Sequence, residues 1–115
     1  MIRIVGAGAW GTALAVLWSH GESDQAAHEP IELVARGTAE AEAIRTANRN
    51  ERRLRGVDVP SSITIRSLDD QLAPAGTDDL VVIAVPSDSI AATLLRISLG
   101  DAPLLLVSKG LSAAG

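Results

Sequence analysis

A short apolar run over residues 2–5 leads directly into Gly6-x-Gly8-x-x-Gly11, and an unbroken helix-compatible stretch follows over residues 12–19. Strand, glycine turn and helix, in that order, are what a dinucleotide-binding turn requires. Gly6 permits the sharp exit from the strand. Gly8 removes the side chain that would hold the backbone away from a pyrophosphate, and Gly11 lets the helix lie close to the strand. The free N–H groups at the helix start, with the positive end of its dipole, then face the phosphates. Glycines punctuate many turns, so the spacing alone is a weak signal, and a ligand-free turn is the bland alternative. The flanking strand and helix are the context that gives the spacing its meaning.

The remainder of the chain supports the same architecture. Apolar runs at residues 2–5, 31–35, 63–65, 80–85 and 104–107 predict five strands, and helix-like segments occupy several of the gaps. Ala13, Leu14, Leu17 and Trp18 are spaced to turn one helical face to a sheet. Residues 21–30 are polar, longer than a usual connection, and expected to form a solvent loop. Thr38 is the expected N-cap of a helix over residues 39–48. Residues 68–72, with Asp69 and Asp70 in a first turn, suggest a small helix ended by Pro74 and Gly76. Ser87 or Asp88 is the expected cap of a helix that runs almost to Gly100. Strands joined by helical crossovers imply an α/β fold, a Rossmann-like doubly wound parallel sheet with helices on both faces. The whole chain, residues 1–115, reads as one such domain.

Composition narrows the classes. Apolar residues make up 47% of the 115, which is enough to build a core, yet Trp10 and Trp18 are the only aromatics. The core must come from Leu, Ile, Val and Ala, as in buried parallel strands. Absence of cysteine rules out a disulfide framework and cysteine-based metal or nucleophile chemistry. A net charge of −4 gives no reason to expect nucleic acid. The N-terminus is a poor secretory signal, and no apolar run reaches membrane-spanning length. A cytoplasmic protein with no membrane partner is the expectation, and no metal-ligand spacing appears.

Ligands of such sheets bind outside the carboxyl ends of the strands, where strand order reverses. The residues placed there are the glycine turn, Arg36, Pro86 with Ser87, and Ser108 with Lys109. An acidic residue after the second strand would hydrogen-bond the adenosine ribose of NAD. Arg36 instead supplies a fork of donors suited to a 2′-phosphate, which favours NADP (NADPH) over NAD; an ordinary solvated arginine is the alternative. Glu32 lies within the strand and is not expected to serve as the ribose carboxylate. Pro86 ends the fourth strand and should border the nicotinamide half of the cleft. Lys109 offers a cation for a substrate phosphate or for the nicotinamide end. Arg45, Arg49, Arg52, Arg53 and Arg55 make a basic cluster, with Arg45 and Arg49 assigned to one helix face; a solvated face is the favoured reading over an anion or partner surface. His20 and His28 read as surface residues. No general acid or base for hydride transfer stands at these positions.

Four blocks now occur in order: Gly6-Ala-Gly-Ala-Trp-Gly-Thr-Ala-Leu-Ala15, Asn50-x-x-x-Leu54 with Val59-Pro60, Ala84-Val-Pro-Ser87, and Ser108-Lys-Gly-Leu111. Together they resemble the N-terminal domain of NAD(P)-dependent glycerol-3-phosphate dehydrogenase over nearly the whole chain. The resemblance implies hydride transfer between sn-glycerol 3-phosphate and dihydroxyacetone phosphate, in the supply of glycerophospholipid precursors, and a homodimeric parent. It places Ala9 and Trp10 at the pyrophosphate, Arg36 at the adenosine ribose or its 2′-phosphate, and Lys109 at both cofactor and substrate. The catalytic lysine of the family belongs to a C-terminal helical domain, so no catalytic residue is expected in this chain, which is taken as the cofactor-binding half without turnover of its own. Departures are Arg53 for the usual aromatic, Leu54-Arg55-Gly56 for Leu-Pro-Gly, Ser112 for Glu, and the long 21–30 loop. A stand-alone nucleotide-sensing module, or another reductase of the superfamily acting on ketopantoate or pyrroline carboxylate, are the alternatives. The Trp10-Gly11-Thr12 and Lys109-Gly110-Leu111 pairing argues against the latter.

Overall fold

The computed structural model describes residues 1–20, 30–97, 100 and 102–107. Along the chain run β1 (Ile2–Val5), α1 (Ala9–Ser19), β2 (Ile31–Ala35), α2 (Thr38–Ala47), β3 (Arg49–Asn50) and β4 (Leu54–Asp58). They are followed by β5 (Ile63–Ser67), β6 (Leu80–Ile83), a 3₁₀ turn (Ser87–Ser89), α3 (Ile90–Arg96) and β7 (Leu104–Leu106). Five strands form one sheet in the order β5-β2-β1-β6-β7, with every neighbouring pair parallel. The Rossmann-like parallel sheet expected from the sequence is therefore present. Strand order reverses around β1, so the carboxyl end of β1 opens into the crevice where such sheets bind ligands.

Alternation of side chains along each strand divides the core in two. Ile4 lies beside Leu33 and Val82 in register, and all three face Ala15 of α1 and Ala41 and Ile44 of α2. Val5 lies beside Val34 and Ile83 on the opposite face, which Ile90 and Leu94 of α3 cover. Helices on both faces are what nearly continuous apolar strands demand. At the amino end of the sheet the α3 side carries a charge instead. Arg3, 3% exposed, pairs with Glu32 on β2 and donates from Nη1 to the Ala73 carbonyl at 2.7 Å. Glu32 also meets Arg66 at 3.5 Å, so it is a strand-stapling carboxylate, well away from the ligand end.

Several local expectations are corrected. Helix α1 begins at Ala9; Gly11, Thr12 and Ala15 are its buried residues, Leu14 and Trp18 pack against the same core as expected, and Leu17 is instead 65% exposed. Small residues face the strands because the helix starts so close to β1. Gly37, not Thr38, occupies the N-cap of α2, because Asp69 takes both the Thr38 N–H and its hydroxyl at 3.2 Å. Residues 68–72 form turns rather than a helix: Asp70 accepts from the Ser67 N–H and Ser67 Oγ from the Asp69 N–H, which uses the short side chains to satisfy a turn. The segment after Pro86 starts as a 3₁₀ turn with no side-chain cap, and α3 ends at Arg96, short of Gly100. Strands β6 and β7 are shorter than read, and β5 is longer.

The largest difference lies in the arginine-rich stretch, where none of the five expected strands falls and which forms an antiparallel hairpin of β3 and β4. Asn48 ends α2 in the left-handed conformation at φ 53°, which asparagine tolerates. Its carbonyl accepts from the Val59 N–H at 2.7 Å, and Arg49 donates to Asp58 across the hairpin at 2.7 Å. Arg49 therefore lies beyond the helix and does not share its face with Arg45. The polar 21–30 loop falls, except for exposed Pro30, outside the described residues, as does His28.

Candidate functional site

The turn after β1 is built by two glycines that the backbone demands and one that it does not. Gly6 sits at φ +118°, and a Cβ there would lie 2.6 Å from the Ala84 carbonyl oxygen. At Gly11 a Cβ would lie 1.8 Å from the carbonyl oxygen of Gly6. Neither position admits a side chain without moving backbone. Gly8 differs. It has φ −80°, allowed to any residue, and an added Cβ would meet nothing within 4 Å. The protein itself gives no steric reason for a glycine here; a ligand lying against the turn would.

That turn also presents donors. Gly8 caps α1 without a side-chain bond, and the first intrahelical hydrogen bond is from the Thr12 N–H to the Gly8 carbonyl at 3.0 Å. The N–H groups of Ala9, Trp10 and Gly11 consequently have no partner among the described residues, and no acidic side chain sits in the first turn. Unpaired N–H groups at the positive end of a helix dipole fit a phosphate. The residues present thus suit a pyrophosphate at this turn.

In front of the turn lies a cleft of about 360 Å³. It is lined by Val5 of β1, by Gly6 and Gly8 of the turn after it, by Ala84, Val85 and Pro86 after β6, and by Thr93 and Arg96 of α3. Arg36, Glu40 and Arg53 complete the lining. Of the sequence-predicted site residues, Gly6, Gly8, Arg36 and Pro86 therefore share one cleft. Ala9, Trp10 and Gly11 lie in the adjoining first turn of α1, with Trp10 47% exposed. Lys109 and the Ser108-to-Leu111 block fall outside the described residues.

The arginines separate by their partners. Arg45 donates to the Ile65 carbonyl, Arg49 pairs with Asp58, and Arg96 pairs with Asp69 at 3.1 Å. The guanidinium groups of Arg36 and Arg53 have no ion pair or hydrogen bond among the described residues, although the Arg36 N–H donates to Glu40 at 3.2 Å. Asp69 joins the start of α2 to α3. The Thr38 N–H, then Arg96 and the Thr38 hydroxyl, hold its carboxyl below the usual range.

Asn50 is the site residue whose role the sequence reading missed. It is 3% exposed, and its Nδ2 donates to the Ala7 carbonyl at 2.7 Å and to Thr12 Oγ1 at 2.8 Å. The first bond turns the carbonyl between Gly6 and Gly8 inward, and the second grips the first turns of α1. The available signal was the Asn50-x-x-x-Leu54 block, which marks the position without showing its contacts. Among the described residues no three His, Asp or Glu side chains gather as metal ligands, and no helix is long and apolar enough to cross a membrane.

A family model described as NAD-dependent glycerol-3-phosphate dehydrogenase N-terminus matches residues 1–115. The chain belongs to that family. A glycerol-3-phosphate dehydrogenase [NAD(P)+] of Variovorax paradoxus is 39% identical over 98% of this chain and 31% of its own length. The protein of the same name from Thiobacillus denitrificans is 35% identical over 95% of this chain and 31% of its own. The chain thus spans about a third of the length of these curated relatives. Among solved structures, glycerol-3-phosphate dehydrogenase from Coxiella burnetii superposes with a TM-score of 0.71 at 20% identity, covering 95% of this chain and 33% of that one. That likeness is one of fold. Within the family frame, the glycine turn, Arg36 and Pro86 occupy the crevice at the strand-order reversal, where dinucleotides bind on such sheets.

Proposed function

We propose that this chain is the cofactor-binding part of an NAD(P)-dependent glycerol-3-phosphate dehydrogenase, that it prefers NADP(H), and that the parent is a cytoplasmic homodimer. The whole protein would interconvert sn-glycerol 3-phosphate and dihydroxyacetone phosphate for glycerophospholipid synthesis. Gly8 carries this reading: of the three motif glycines it alone could take a Cβ without meeting a protein atom, and it lines the cleft. The N–H groups of Ala9, Trp10 and Gly11 would donate to the pyrophosphate, and Arg36 would donate to the adenosine ribose or its 2′-phosphate. Ala84, Val85 and Pro86 would exclude water from the part of the cleft they line. The nicotinamide, when bound, supplies or accepts the hydride. The chain's own part is to bind and orient, with Lys109 contributing to both cofactor and substrate and the proton-handling lysine supplied by the C-terminal helical domain.

The deciding experiment pairs stability with affinity in Gly8→Ala. The thermal midpoint should fall by only a few degrees, because the added methyl is sterically free and the remaining cost is that of alanine at an N-cap, about 1 kcal/mol or less. Calorimetric titration with NADPH should show affinity reduced by at least about tenfold, the equivalent of 1.4 kcal/mol. A Gly8→Ala protein that binds NADPH like wild type would refute the reading, as would wild-type protein that binds neither NADPH nor NADH.

A further inference from the structure

We infer that Arg53, at the end of the β3–β4 turn, is a second arm for the adenosine 2′-phosphate and sets cofactor preference jointly with Arg36. The inference rests on the dinucleotide reading of the cleft and adds a specificity residue to it. Two cavities meet along one line of side chains. The cleft in front of the glycine turn and an outer groove of about 540 Å³ between α2 and the hairpin share Arg36, Glu40 and Arg53. A dinucleotide whose pyrophosphate lies on the glycine turn directs its adenosine toward the end of β2, where this line stands. A phosphate on the ribose would meet both guanidinium groups there.

Charge and commitment single out these two. The inner cleft is lined by Arg36, Arg53 and Arg96 against one carboxylate, Glu40. Arg96 is held by Asp69, which leaves Arg36 and Arg53 with unspent donors among the described residues. A phosphate dianion between two forked donors can accept several charge-assisted hydrogen bonds, whereas the neutral 2′-hydroxyl of NAD recruits neither. Glu40, which accepts from the Arg36 N–H, opposes the preference by repelling a phosphate and offering that hydroxyl an acceptor, so discrimination needs both guanidinium groups.

The hairpin also supplies rigidity. The Arg53 N–H donates to the Asn50 carbonyl at 3.1 Å, closing a four-residue turn, while the Asn50 side chain is fastened to Ala7 and Thr12. Arg53 is therefore held at a fixed distance from the glycine turn, and a bound phosphate has less backbone entropy to restrict.

Two ligands that differ chiefly in the 2′-phosphate, 2′,5′-ADP and 5′-AMP, test this by calorimetry on the full chain at fixed ionic strength. Arg53→Gln should weaken 2′,5′-ADP by about 3- to 10-fold, the range for a partly exposed charge contact. Its affinity for 5′-AMP and its thermal midpoint should stay at wild-type values, and Arg53→Lys should recover part of the loss. Arg52→Gln, whose side chain lines only the outer groove, should bind both ligands as wild type does. If Arg53→Gln binds 2′,5′-ADP normally while Arg36→Gln loses it, the two-armed site falls and the dinucleotide reading stands. Equal weakening of both ligands by Arg53→Gln would likewise overturn a 2′-phosphate role. If wild-type protein binds neither ligand, the dinucleotide reading falls as well.

Discussion

Replacing Asn50 by alanine should uncouple the hairpin from the glycine turn. The Nδ2 group serves two buried acceptors, the Ala7 carbonyl at 2.7 Å and Thr12 Oγ1 at 2.8 Å. Its removal strands both. A buried polar group left without a partner costs about 1–3 kcal/mol, and the vacated side-chain volume adds a small cavity term. Thr12 can turn its hydroxyl toward a helix carbonyl, so a total of about 2–4 kcal/mol is expected. In urea, with m near 1–3 kcal/mol/M for a small domain, the unfolding midpoint should fall by about 1–3 M. Asn50→Asp separates hydrogen bonding from volume: a carboxylate fills the same space but cannot donate. It should be at least as damaging as alanine at pH 7 and recover part of its stability as acidification restores one O–H donor. NADPH affinity should fall with stability in both variants, because the Ala7 carbonyl fixes the turn that carries the donors. An Asn50→Asp protein that unfolds with the wild-type midpoint at pH 7 would refute the argument.

Two further outcomes test the frame around the cleft. Glu32→Ala leaves the Arg3 guanidinium, 3% exposed, without its carboxylate, and should cost about 3 kcal/mol by urea unfolding; Arg66→Ala, on the half-exposed outer partner, should cost under about 1 kcal/mol. Equal losses in the two variants would contradict a buried Arg3–Glu32 staple. The second outcome concerns acid. The Thr38 N–H, Arg96 and the Thr38 hydroxyl lower the Asp69 carboxyl, and the Gly76 N–H and the terminal ammonium lower that of Asp79. Because their folded values lie below the unfolded one, these groups stabilise the protein above about pH 3.9 and lose that contribution as pH falls further. The stability difference between Asp69→Asn and wild type should therefore shrink below about pH 3.9. A difference that stays constant from neutral pH into strong acid would show that the carboxylate charge plays no part.

How far the fold could be read from the sequence follows from which interactions are local. The five parallel strands were legible because burial on both faces forces continuous apolar runs, as in residues 31–35 and 80–83. The sharp turn after β1 was legible because backbone geometry there admits only glycine. The β3–β4 hairpin was not. Its strands carry Arg49, Arg55 and Asp58 on an exposed surface, and its pairing is secured by the Val59 N–H on the Asn48 carbonyl and by the Arg49–Asp58 contact. Leu17 misled in the opposite direction, since an apolar residue at helical spacing was expected to face the sheet but lies in the open. The start of α2 depended on Asp69, a residue 31 positions away from Thr38, and no local capping rule could foresee it.

The motif's three glycines answer to different demands, and that difference connects fold to function. Gly6 and Gly11 are fixed by contacts within the protein: one against Ala84, the other against the carbonyl of Gly6 itself. A chain needing only to turn from strand to helix would be satisfied with those two. Gly8 has no such steric reason to be glycine: an added Cβ at φ −80° would meet nothing, and only the mild preference of an N-cap for glycine over alanine speaks for it within the fold. Asn50 points the same way. A buried amide that crosses from a hairpin to hold one carbonyl inward leaves the outward side of the turn to its free N–H groups. Both features favour a surface kept open and rigid for a phosphate over a surface optimised for stability. The arginines obey the same division, with Arg45, Arg49 and Arg96 bound to the fold and Arg36 and Arg53 left facing the cleft. Removing the first group should therefore be felt in unfolding, and removing the second in ligand affinity.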